Sequence, residues 1–145
     1  RAAEVLRDRG TSVSVWSVTS YNELARQGSR AERAKILSVG ASDERPYVEA
    51  LLEGEDGIFV AASDYQRSQP LSIAPWLPGE YAVLGTDGFG LSESRENLRD
   101  YFEVSAEWIV FATLSTLARA NRGTVEDALE YADGQGLDRE RIAPY

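Results

Sequence analysis

A chain of 145 residues with 43% hydrophobic and 27% charged residues has the proportions of one soluble globular domain, in which folding buries roughly two-thirds of the unfolded surface without a disulfide or metal staple. The formal net charge of -9 sets up a field that repels phosphate backbones and anionic lipid, and no apolar run approaches the ~20 residues of a membrane helix, so neither a nucleic-acid nor a membrane partner is expected. Cysteine and histidine are both absent, which removes thiolate nucleophiles, a Ser-His-Asp relay, common zinc sites and any imidazole acid or base; catalysis would fall to carboxylates, tyrosines or the one lysine, Lys35.

Residues 1–9 place Ala2, Val5 and Leu6 on one helical face, and Gly10 is a helix-terminating glycine. This opening reads as the middle of an amphipathic helix, and with no methionine anywhere the expectation is a fragment of a longer polypeptide. Alternation over 11–18, with Val13 and Val15 on one side and Trp16 and Val18 on the other, predicts a strand. Ser20 and Glu23 have the spacing of a capping box, so a helix starts there and carries Leu24 inward. Gly28 is expected to interrupt it, with a second helical piece over 30–37 anchored by Ile36 and Leu37. Arg30, Glu32 and Arg33 read as a solvated face. Pro46 can open a short helix over 47–52 before a turn at 53–57.

The continuous apolar run 58–62 has the length and character of a strand covered on both faces, the expected centre of the sheet. Residues 66–76 predict a helix disturbed by Pro70 and closed by Pro75 and Pro78, and 81–84 the next strand. A helix over 93–102 follows, then a longer one capped by Ser105 and reaching Ala120, then a last short helix from Thr124 and a polar tail. The order predicts one α/β domain over residues 1–145 with a mainly parallel sheet, of which only three strands are visible.

Between the last strand and the helix beyond it lies GTDGFGLSESRENL, residues 85–98, rich in glycine. Gly85, Gly88 and Gly90 do not have the spacing of a dinucleotide site, no Gly-Lys-Ser/Thr follows, and Asp87, Glu93 and Glu96 oppose a phosphate. Nor is it the Gly-Asp-Gly of a thiamine diphosphate site, because Thr86 precedes Asp87 and Asn97 follows too soon. Asp64, at the carboxyl end of the central strand, is a second-rank ligand or acid candidate, although a helix N-cap is the plainer reading. Tyr21, Tyr65 and Tyr101 read as core rims rather than proton donors.

Taken in order, VWSVTSYNEL at 15–24, ASDY at 62–65, LGTDGFG at 84–90, SRENL at 94–98 and YFEV at 101–104 resemble the carboxyl-terminal domain of the bacterial homodimeric pyruvate dehydrogenase E1 component. The resemblance runs to at least Leu117 and departs at Leu91, where arginine is usual, and at Ser105, where aspartate is common; nothing is carried over beyond Arg122. It implies a transketolase-type fold, a three-layer α/β/α sandwich on a mixed, mainly parallel sheet, with the first edge strand preceding Arg1. It also implies a cytoplasmic enzyme using thiamine diphosphate and Mg2+, which decarboxylates pyruvate and passes the acetyl unit to the lipoyl group of E2. In that family the cofactor lies between the two preceding domains. The chain is therefore expected to hold no catalytic, cofactor-binding or metal-binding residue, to be inactive alone, and to have as partners the other E1 domains, the E1 homodimer and the E2 acetyltransferase. The 85–98 loop then reads as an interface loop, with Phe89 buried against a neighbour and Asp87 and Arg95 hydrogen-bonded to it. The alternative is a stand-alone or split-subunit binding module of the same fold, with a cleft near Asp64 and Asp87. A self-contained carboxylate enzyme would need two carboxylates roughly 5–10 Å apart across one pocket, and the sequence points to no such pair.

Overall fold

The computed structural model describes residues 1–144 as seven α-helices, a 3₁₀ turn and two parallel strands. Helices α1 (Ala2–Asp8), α2 (Tyr21–Leu37) and α3 (Tyr47–Leu51) come first, then strand β1 (Phe59–Ala62) and helix α4 (Ser68–Leu71). The 3₁₀ turn Ala74–Trp76 leads to strand β2 (Tyr81–Leu84), followed by α5 (Arg95–Tyr101), α6 (Ala106–Arg119) and α7 (Val125–Gln135). β1 and β2 pair in parallel with Phe59 opposite Tyr81 and Ala62 opposite Leu84, and the intervening chain makes the helical crossover that parallel strands require. The α/β class is as expected.

Local chemistry accounts for the helix starts. The hydroxyls of Ser20, Ser94, Ser105 and Thr124 accept from the backbone N–H of Glu23, Asn97, Trp108 and Asp127. α7 runs for 11 residues, longer than expected, and stops where Gly136 turns left-handed at φ 66. Pro70 lies in the first turn of α4, where its missing N–H costs no helical hydrogen bond, and its carbonyl accepts from the Tyr81 hydroxyl at 3.1 Å.

Two apolar clusters hold these pieces together. Leu6, Val110, Leu114, Ala128 and Tyr131 join α1, α6 and α7; Val48, Leu52 and Ile73 join α3 to the chain before β2, with Leu24, Phe59 and Trp76 packed around them. α6 contacts both strands and so covers one face of the sheet.

Four expectations are corrected. Gly28 does not interrupt α2: it is buried at mid-helix, where an added Cβ would lie 2.5 Å from the Trp76 ring, so glycine is there for a close approach. Ile36 and Leu37 anchor nothing; they are exposed at the end of α2. Residues 11–18 are not a strand among the described residues. Only Val13 of the alternating residues packs on the core, while Val15, Trp16 and Val18 are exposed. A strand exists through its partner, and among the described residues β1 has β2 alone beside it, not the two neighbours expected of a central strand. Accordingly only Ala61 of β1 is buried, and Ala62 is exposed.

Candidate functional site

The glycine-rich loop leaves the carboxyl end of β2, the end of a parallel sheet at which α/β proteins place their working surfaces. Its base is rigid. The backbone N–H and Nε of Arg67 donate to Oδ1 and Oδ2 of Asp87 at 2.9 and 2.7 Å, and Thr86 N–H donates to the Tyr65 carbonyl at 3.1 Å. Gly85 is required at this junction, because a Cβ would meet Arg67 Cγ at 2.6 Å and the Tyr65 carbonyl at 2.8 Å. The Arg67 hydrogen bonds hold the Asp87 carboxyl below its ordinary pKa.

Beyond Asp87 the chain turns through Gly88, at φ +91, and projects Phe89 into solvent with 95% of its surface exposed. Leu91 and Tyr101 are also exposed nearby along the chain, and Tyr101 meets Phe102 edge-on at 5.0 Å. An open hollow of about 470 Å³ lies between loop and helix, lined by Leu91, Glu93, Leu98, Asp100, Tyr101 and Arg141. Arg95, in the first turn of α5, is exposed and makes no hydrogen bond or ion pair with the described residues.

The structure therefore brings Asp87 and Phe89 onto one loop and sets Arg95 at the start of the helix that follows, but gives them different tasks. The Asp87 carboxylate is engaged within the chain, whereas Phe89 and Arg95 face outward. Asp64 caps no helix: α4 begins at Ser68 with Arg67 as its N-cap residue, and the Asp64 carboxylate lies in solvent 4.0 Å from Arg99. Asp64 and Asp87 thus answer to different arginines. Among the tyrosines, Tyr21 packs beside the Val48 cluster as a rim residue, and Tyr65 and Tyr101 are exposed. Burial raises the pKa of Tyr21 and Tyr81, keeping both phenols neutral.

These residues do not fit a thiamine diphosphate and magnesium site. Among the described residues no group of three or more metal-ligating side chains converges, and the one aspartate in a glycine-rich turn has both oxygens on Arg67. No described helix is long and apolar enough to cross a membrane. What fold and loop define is an α/β domain presenting a rigidly based, outward-facing loop.

The family model described as "Transketolase-like TK C-terminal domain" matches residues 1–105, and the chain belongs to that family. It is similar to the pyruvate dehydrogenase E1 component of Pseudomonas aeruginosa, 44% identical over 147 residues that cover 99% of this chain and 16% of the relative. The E1 component of Escherichia coli K12 is 42% identical over 148 residues, covering 99% and 16%, and that of Corynebacterium glutamicum 38% over 139 residues, covering 95% and 15%. The chain thus spans about a sixth of the length of these relatives, and the similarity takes in the tail beyond Arg122.

Proposed function

We propose that this chain is the carboxyl-terminal part of a pyruvate dehydrogenase E1 component, and that it supplies assembly surface rather than reacting groups. The parent enzyme, in the cytoplasm, uses thiamine diphosphate and Mg2+ held by other domains to decarboxylate pyruvate, and passes the acetyl unit to the lipoyl group of E2. The chain alone is inactive. Its partners are the other domains of the same polypeptide and the second subunit of an E1 homodimer. One observation carries this reading: Phe89, on a loop stapled at its base by Arg67 and Asp87, is 95% exposed. A large apolar side chain held that far into water on a rigid base gains nothing for this domain and suits a pocket elsewhere. Arg95 supplies the polar contact beside it, Asp87 fixes the pose, and Asp64 is the second-rank position for a contact.

Phe89→Ala tests the reading. In the isolated chain it changes stability by no more than about 0.5 kcal/mol, as exposed substitutions do. In the full-length polypeptide it costs the roughly 1.5–3 kcal/mol of a buried phenylalanine, weakening dimerisation or domain docking by about tenfold or more. Unchanged dimerisation, stability and turnover in the full enzyme would remove the interface role.

A further inference from the structure

The chain beyond α7 carries a feature that neither the family match nor the sequence motifs address. It returns from Gly136 across the junction of α5 and α6, and Arg141 is pressed into that junction with its side chain only 21% exposed. The Arg141 guanidinium stacks on the Trp108 ring at 4.6 Å, and its Nε donates to Glu103 Oε1 at 3.2 Å. Nη1 donates to Asp100 Oδ2 at 3.3 Å, and Nη2 reaches the carbonyls of Asp100 and Tyr101. Asp100 is in turn held by Trp108 Nε1 at 3.0 Å.

These partners have a pattern. Asp100 and Tyr101 end α5; the Asp100 carbonyl already accepts from the Glu103 N–H at 3.0 Å, and the planar cation adds a second donor there, reaches the Tyr101 carbonyl and complements the helix dipole. Glu103, just past that turn, sits in the left-handed region at φ 59, a conformation that costs energy for a residue with a Cβ and places its carboxylate on Arg141. Three residues beyond Arg141, Pro144 lines a small cavity with Arg67, Gly85 and Glu103, at the base of the glycine-rich loop. The tail therefore faces the loop's base across that cavity and grips the end of the helix that follows the loop.

We propose that residues 137–144 are a strap, fastened by Arg141 over Trp108, that holds α5 and the loop before it in a single pose. Unfastening it frees that surface while leaving the α1–α6–α7 core folded. The consequence for assembly rests on the reading of the loop as a docking surface; the strap itself does not.

Hydrogen–deuterium exchange of the full-length polypeptide tests this, comparing wild type with Arg141→Met. Met keeps a flexible apolar stem over Trp108 and loses every donor. Exchange should accelerate by about tenfold or more in peptides covering 86–94 and 95–104, the scale of losing charged hydrogen bonds, with peptides from 110–116 unchanged. Unchanged protection over 95–104 would overturn the strap, as would an equal rise in 110–116. Should the Met variant fail to fold, Arg141→Lys asks the same question, since it keeps the charge but cannot fork between Asp100 and Glu103. Phe89→Ala in parallel separates the two ideas: lost assembly there with unchanged exchange at Arg141→Met removes the strap and leaves the docking loop, and the reverse pattern does the opposite.

Discussion

Replacing Gly28 with alanine sets two effects of known sign against each other. Alanine favours a helix interior over glycine by about 1 kcal/mol, and Gly28 lies in the middle of α2, so a locally determined helix would be stabilised. The new Cβ, however, would stand 2.5 Å from Cη2 and Cζ3 of Trp76 and 2.7 Å from Cε3. Carbon atoms settle at about 3.5–4.0 Å, so the indole must retreat by roughly 1 Å. It has little room, because Trp76 packs on the cluster of Val48, Leu52 and Ile73, and forcing volume into such packing costs about 1–3 kcal/mol. The net expectation is a loss of about 1 kcal/mol, or a fall in Tm of roughly 3–4 °C for a chain of this size. Urea unfolding followed by circular dichroism measures it. The double variant Gly28→Ala/Trp76→Leu should recover much of the loss, because the smaller side chain makes room for the methyl group. A rise in stability from Gly28→Ala alone would refute the argument, since it would mean that propensity and not the indole contact decides this position.

Two further predictions concern single positions. Val39, just beyond α2, is a β-branched residue at φ 54 with 95% of its surface exposed, so Val39→Asn should stabilise the chain by about 1 kcal/mol by relieving the left-handed strain at no cost in packing, read as a higher urea midpoint. Asp87 titrates below its ordinary value because Arg67 binds its charged form, so its contribution to stability is fully present above the unfolded carboxylate pKa of about 4 and is lost as pH falls through the depressed folded value. Asp87→Asn should therefore flatten the acid limb of the stability curve below about pH 4, and an unchanged acid limb would mean that the pair contributes nothing.

Helix starts were legible because their chemistry is local. Ser20, Ser105 and Thr124 each stand three residues before the N–H they cap, a spacing that can be read without knowing any tertiary contact, whereas α5, expected from 93, starts at Arg95 with Ser94 as its cap. Residues 11–18 show the opposite case. Their alternation fits a strand, yet the element needs a neighbour to supply the ladder, and none of the described residues does so. Gly28 is opaque to sequence for a related reason: a glycine in a helix looks like a break until the indole from 48 residues further on is in view. Ile36 and Leu37 have the composition of anchors, but the end of α2 carries them past the packed region, leaving them 75% and 64% exposed.

The candidate site divides along the same line. The sequence marked the loop by its glycines and its acidic residues, and those same features excluded a phosphate. The Arg67 staple could not be read from it, because its partner Asp87 is 20 residues away and Arg67 carries no motif. Yet the staple gives the loop its character: a free glycine-rich loop would lose considerable entropy on docking, whereas one fixed at Asp87 begins close to its bound form and loses less. The Arg141 contacts act at the other end by the same principle, tying down the last turn of α5. Between those fixed points lie residues 88–94, which carry Phe89. On the proposed reading of the loop as a docking surface, Arg67 and Asp87 fix its base while Arg141 and Trp108 fix the end of the helix after it, the construction expected of a surface preorganised for a partner.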